Sequence, residues 1–181
     1  FNDGKCDPAG RFWAGTMEFN GEPDAGALYC LDAKGEVTEK LRPVAISNGI
    51  VWTADAKTMY YICTRANTVR AFDYDIDTGD ISNERVVVTN QGEGGFDGMS
   101  IDAEGKLWVA VFGGWAVRRY DPDTGNLLQE VKLPFERVTS CAFGGKNLDE
   151  LYVTSAVVGL DDAALVDQPQ AGSLVKIDPG V

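Results

Sequence analysis

The sequence predicts an all-β protein built from β-propeller blades, about four of them. Three observations carry this. The segment Asp7-Pro8-Ala9-Gly10-Arg11-Phe12-Trp13-Ala14-Gly15 recurs as Asp102-Ala103-Glu104-Gly105-Lys106-Leu107-Trp108-Val109-Ala110, 95 residues further on, which is two periods of about 47. The turns Asp75-Ile76-Asp77-Thr78-Gly79 and Asp121-Pro122-Asp123-Thr124-Gly125 lie 46 residues apart, each after a strand-like run. The apolar runs themselves, such as Leu107-Trp108-Val109-Ala110-Val111-Phe112, are continuous and β-rich. They do not show the i, i+3, i+4, i+7 spacing of a helical repeat.

Taken in order, the chain opens with a strand start at residues 1–6, a turn at Asp7-Pro8-Ala9-Gly10 and the Trp13 strand. Residues 18–26 form an aperiodic polar loop, read as a rim or lid insertion. The run 27–31 ends on the turn Asp32-Ala33-Lys34-Gly35, residues 35–40 close that blade, and 44–52 open the next. Met59-Tyr60-Tyr61-Ile62 and Leu151-Tyr152-Val153-Thr154 occupy the place of the Trp strand in the intermediate blades. Gln91-Gly92-Glu93-Gly94-Gly95 leads into Phe96-Asp97-Gly98, and Thr139-Ser140-Cys141 opens the fourth unit. Residues 159–172 read as loop or short helix with Asp161-Asp162 as its cap, and 173–180 repeat the run-plus-turn. The recurring aromatics Trp13, Trp52, Trp108, Tyr60 and Tyr152 are expected in the core. The whole of 1–181 is expected to be a single propeller domain. Because Phe1 begins mid-pattern, the chain reads as the C-terminal portion of a longer array.

Composition removes several function classes. The net charge is −12, from 28 acidic and 16 basic residues, which disfavours nucleic acid and anionic membranes as partners. There is no histidine, and the four cysteines (Cys6, Cys30, Cys63, Cys141) form no C-x-x-C pair. Cys/His zinc sites, Ser-His-Asp triads and Cys-His dyads are excluded within this chain. Each cysteine sits in an apolar strand pattern, so buried free thiols and a reducing, cytoplasmic compartment are expected. No apolar segment approaches membrane-spanning length.

Innermost strands of a propeller converge, so the polar residues at their heads are the candidates for chemistry. Counting back five residues from Asp7 and from Asp102 gives Asn2 and Asp97; Asn48-Gly49 matches Asp97-Gly98 as a polar-Gly pair before an apolar run. The fourth unit offers Ser140 or Thr139. Amide and carboxylate oxygens suit a hard divalent cation, with which an adjacent carboxylate could handle a proton. Asn-Gly and Asp-Gly are equally ordinary turn or bulge pairs, and both readings stay open on spacing alone. The Asp-x-Asp-Thr-Gly segments at 75–79 and 121–125 look superficially like calcium loops but lack the downstream ligands, so they read as hairpin turns.

Together, Phe1-Asn2-Asp3-Gly4-Lys5, Gly15-Thr16-Met17, Ile46-Ser47-Asn48-Gly49, Phe72-Asp73-Tyr74-Asp75, Asp97-Gly98-Met99, Gly105-Lys106-Leu107-Trp108-Val109-Ala110 and Thr139-Ser140-Cys141-Ala142-Phe143-Gly144-Gly145 resemble the SMP-30/gluconolactonase/luciferin-regenerating-enzyme family over essentially the whole chain. Asn147-Leu148-Asp149-Glu150-Leu151-Tyr152-Val153-Thr154-Ser155-Ala156 looks more like the luciferin-regenerating branch. The resemblance implies a six-bladed propeller with one divalent cation, Ca²⁺ first and Mg²⁺, Mn²⁺ or Zn²⁺ as alternatives, and hydrolysis of small sugar lactones. It implies Asn48 and Asp97 as metal ligands, Asp97 also as the proton acceptor and donor, and Asn2 as a substrate-binding residue. A luciferin-regenerating-type relative or a non-enzymatic calcium-binding propeller is the alternative. Departures from the family pattern are specific. No Glu-Gly-Pro ligand motif is present, the family's substrate-binding Arg would fall before Phe1, and the lid carboxylate has only Glu18 or Glu22 as counterparts. These departures imply that about 100 N-terminal residues, two blades, are missing, with a second chain or fragment as a conceivable partner supplying them.

Overall fold

The computed structural model describes residues 1–18 and 24–181, and the polypeptide divides into two compact units, Phe1–Thr89 and Asn90–Val181. In the first unit β1 (Gly4–Cys6), β2 (Phe12–Gly15), β3 (Gly26–Leu31) and β4 (Val37–Val44) form one sheet in chain order. A second sheet follows from β5 (Ser47–Trp52), β6 (Thr58–Cys63), β7 (Thr68–Tyr74) and β8 (Ile81–Thr89). In the second unit β9 (Gly95–Ile101), β10 (Leu107–Phe112), β11 (Ala116–Tyr120) and β12 (Leu127–Lys132) repeat that meander. There β13 (Val138–Gly144), β14 (Glu150–Ser155) and β15 (Leu174–Ile177) make a three-stranded sheet, with α1 (Asp162–Asp167) between β14 and β15. Every strand pairing within these sheets is antiparallel. The fold is thus all-β, with four propeller blades, two per unit. No helix among the described residues is long and apolar enough to cross a membrane.

The repeated Asp-to-Trp segment has a physical basis. Asp7 Oδ1 accepts from the Ala9 and Arg11 amides (3.0 and 2.9 Å), and Asp102 Oδ1 from those of Glu104 and Lys106 (2.9 Å each). The other oxygen accepts from the indole six residues on, Trp13 (2.9 Å) or Trp108 (3.0 Å), and from a guanidinium, Arg11 (2.7 Å) or Arg119 (2.8 Å). One carboxylate therefore closes the turn and pins the core indole, which is why both residue types recur together. Gly10 and Gly105 complete these turns at φ of 84° and 75°, a region a side chain disfavours. Trp13 packs edge-on to Trp52 at 5.7 Å, and Trp52 to Tyr74 at 5.9 Å, at the centre of the first unit's core. The second core gathers Trp108, Phe135, Val138, Leu151 and Val153.

Three sequence expectations need correction or addition. Cys6 is exposed, whereas Cys30, Cys63 and Cys141 are buried free thiols; β1 is a three-residue edge strand, and Cys6 is its last residue before the turn at Asp7. The blade-closing strands β8 and β12 carry mostly exposed side chains, so their apolar signal is too weak to read. Tyr152 is only half-buried, its hydroxyl bonded to Glu150 at 2.7 Å. Asp161 does cap α1, accepting from the Ala164 amide at 2.8 Å. Asp75 and Asp121 bind backbone amides within their own turns, as hairpin turns require.

Two glycines, Gly15 on β2 and Gly98 on β9, are fixed by close approach, and they differ in a testable way. A Cβ on Gly15 would overlap the Ser47 side chain while leaving the Ser47 Cα at 3.6 Å. A Cβ on Gly98 would meet the Ser140 side chain and also its Cα, at 2.8 Å. Gly15→Ala is expected to cost about 1–3 kcal/mol through overpacking, with most of it restored by adding Ser47→Gly. Gly98→Ala should not be restored by Ser140→Gly, because the backbone itself is in the way. Urea midpoints of the four variants decide this, and equal rescue at both positions would contradict it.

Candidate functional site

The innermost strands share an irregularity that places the candidate residues. On β5, Ser47 pairs with Cys63 and Ile50 with Tyr61, so Asn48 and Gly49 together face Ile62. On β9, Phe96 pairs with Val111 and Met99 with Val109, so Asp97 and Gly98 together face Ala110. On β13, Thr139 is the extra residue between the pairs Val138–Ser155 and Ser140–Thr154. Ahead of β1, the Asn2 amide donates to the Gly15 carbonyl (2.8 Å) while the Gly15 amide donates to the Asp3 carbonyl (2.9 Å). Each blade thus carries a β-bulge at the head of its first strand. A bulge turns a side chain out of the regular alternation, and the four bulges hold Asn2, Asn48, Asp97 and Thr139.

In the first unit two of these residues meet. Asn2 Nδ2 donates to Asn48 Oδ1 at 3.0 Å and to the Ser47 carbonyl at 2.7 Å. Asn48 is 6% exposed, and its Nδ2 donates to Thr64 Oγ1 at 2.6 Å. Both hydrogens of the Asn2 amide are engaged, so its Oδ1 is the atom left to accept from a ligand. Asn48 Oδ1 has one lone pair engaged by Asn2 and a second available.

Two neighbours were not singled out by sequence reasoning. Asp3 follows Asn2 on the same bulge and accepts from the Gly4 amide at 2.7 Å; burial raises its carboxyl above the usual aspartate range despite that bond and nearby Lys5. A carboxylic acid shifted this way beside polar candidates is a functional signal, but burial is invisible in the sequence. The Tyr61 hydroxyl is buried, and burial also pushes its pKa up.

In the second unit Asp97 is half-buried on β9, and Gly98 packs against Ser140 of the β13 bulge. The adjacent Thr139 hydroxyl lies 2.8 Å from that of Thr154. Glu18, one lid candidate, is exposed; Glu22, the other, lies outside the described residues. Among the described residues no group of three or more His, Cys, Asp or Glu side chains could hold a metal ion by itself. Amide oxygens also ligate hard cations, and the Asn48 amide is buried and held at both ends. Asn48 and Asp97 each carry a side-chain oxygen, the atom type that hard divalent cations prefer.

Comparison with known proteins gives the chain's relatives. The model of the SMP-30/Gluconolactonase/LRE-like region matches residues 1–157. Regucalcin of Danio rerio is 53% identical over 180 residues, 98% of this chain and 61% of the relative. The chain thus spans about three fifths of the length of the curated relatives it matches. A solved luciferin-regenerating enzyme matches with a TM-score of 0.88 at 44% identity, over 97% of this chain and 59% of that one. A regucalcin from Agrobacterium tumefaciens, described as a calcium-binding protein, matches with a TM-score of 0.91 at 37% identity, over 97% and 60%.

Proposed function

The chain belongs to the SMP-30/gluconolactonase/LRE-like family, and from that membership and its own residues we propose that the protein hydrolyses small sugar lactones with the help of one divalent cation, calcium first. On this reading the whole protein is a six-bladed propeller of the cytoplasm, with Asn48 and Asp97 as ligands. The observation that carries the reading is the shared bulge, which sets an amide oxygen and a carboxylate at equivalent points of two inner strands.

When bound, such a cation supplies Lewis-acid polarisation of the lactone carbonyl. Asn48 contributes its amide oxygen, its nitrogen end being engaged by Thr64. Asn2 presents Oδ1 to a substrate hydroxyl, since its Nδ2 is engaged twice. Asp97 takes the proton of the attacking water as the new C–O bond forms, and returns it to the ring oxygen as the ring C–O bond breaks. The products are the open-chain hydroxy acid and the regenerated carboxylate.

Replacing Asn48 by Ala removes one proposed ligand and the hydrogen bond from its Nδ2 to Thr64. In the full-length protein Asn48→Ala should weaken calcium binding by roughly 10–100-fold and lower turnover of a panel of sugar lactones. Unchanged calcium affinity would overturn Asn48 as a ligand. A second reading, calcium binding without turnover, is favoured by the description of the Agrobacterium tumefaciens relative as calcium-binding. It predicts the same loss of affinity in Asn48→Ala with no lactone consumed by the unaltered protein.

A further inference from the structure

We propose that Thr64 is a positioning residue that locks the Asn48 amide with its oxygen toward the ligand side; the inference rests on the reading of Asn48 as a cation ligand. An asparagine amide has two ends of nearly equal size and opposite chemistry, and a cation is bound only by the oxygen. The orientation here is set by a chain of hydrogen bonds with a fixed direction. It starts at the Ser47 carbonyl, which can only accept, and which takes one Asn2 Nδ2 hydrogen at 2.7 Å. That fixes the Asn2 amide, whose second hydrogen then points at Asn48 at 3.0 Å. Asn48 must answer with Oδ1, so its Nδ2 faces away and needs an acceptor. Thr64 Oγ1 is that acceptor, at 2.6 Å.

The placement of Thr64 is itself rigid. It follows β6 directly, its amide donates to the Ile46 carbonyl at 3.0 Å, and its carbonyl accepts from the Asn67 amide at 3.0 Å. Asn67 sits at φ 53°, closing the turn behind it. Thr64 therefore reaches across from the neighbouring strand to the bulge of β5, and holds the buried amide from the side opposite Asn2. Without that acceptor, Asn48 Nδ2 would be a buried donor lacking its partner, a state that favours rotation of the amide away from the geometry a ligand needs. Groups that orient a metal ligand in this way commonly change metal affinity 10–100-fold when removed.

The test uses the full-length protein and its Thr64→Val and Thr64→Ser variants. Calcium is titrated calorimetrically, and the hydrogen-exchange rate of the Asn48 side-chain amide is measured by NMR on the metal-free protein. Thr64→Val keeps the shape and removes the hydroxyl; it should raise the calcium Kd at least about tenfold and speed Asn48 amide exchange. Thr64→Ser keeps the hydroxyl and should stay within about threefold of the unaltered protein. Two outcomes overturn the proposal: Thr64→Val binding and exchanging like the unaltered protein, or Thr64→Ser failing as badly as Thr64→Val. If the unaltered protein binds no calcium, the ligand reading fails separately, and the metal-free exchange rates still decide whether Thr64 holds the amide.

Discussion

Asp97→Asn is expected to lower kcat for lactone hydrolysis by on the order of 10³-fold, within the range a positioned acid–base group supplies. Asparagine keeps the shape and one oxygen donor but cannot accept the proton of the attacking water. The substitution thus separates the two roles proposed for Asp97. Cation affinity should fall modestly while turnover is nearly abolished. The bulge leaves the side chain little freedom to compensate, because Gly98, next to it, packs directly on Ser140. Asp97→Glu should likewise recover little, since its longer side chain cannot be relieved by a backbone shift at Gly98. Steady-state kinetics with calcium titration on the same samples checks this. An Asp97→Asn variant with near-normal kcat would remove Asp97 from the proton transfer.

Asp7→Ala is expected to cost about 3–5 kcal/mol, the scale for breaking a buried charged network from one side. Asp7 is 5% exposed, and its carboxylate serves Arg11 (2.7 Å), Trp13 (2.9 Å) and the Tyr74 hydroxyl (2.7 Å). Its loss leaves the indole N–H and the phenol as buried groups short of an acceptor. The melting temperature should fall by roughly 6–20 °C. Burial pushes the Asp7 carboxyl up, but the bonds from Tyr74, Trp13 and Arg11 outweigh it and hold its pKa below the usual value. A depressed carboxyl stabilises the fold above its unfolded pKa of about 3.9 and loses that contribution as pH falls through the folded value. The unaltered protein should therefore lose stability more steeply than Asp7→Ala on acidification below about pH 5. Parallel pH profiles of the two proteins would contradict the assignment.

The sequence carries the blades because the same physics acts in two of them. An aspartate that ties its own turn and an indole six residues later must recur together, as Asp7 with Trp13 and Asp102 with Trp108 do. Outer strands such as β8 are nearly invisible, because exposed strands carry no apolar alternation. The candidate residues Asn2, Asn48 and Asp97 are legible as polar positions at strand heads, yet the bulges that turn them out are relations of register between strands. Thr64 lies 16 residues from Asn48, and nothing in its local sequence marks it as the acceptor for a buried amide. Asp3 is hidden for the same reason, since its shifted carboxyl reflects burial. Cys6 misleads because its segment is a three-residue edge strand, a relation between strands that local sequence does not show.

The most direct measurement is the initial rate of D-glucono-1,5-lactone hydrolysis by the full-length protein, taken as purified, after exhaustive chelation, and after calcium is returned. Turnover is expected to fall roughly tenfold or more on chelation and to recover with calcium, with roughly 10–100-fold more calcium needed for recovery in Asn48→Ala. A rate that chelation leaves unchanged would contradict cation-assisted hydrolysis at these residues.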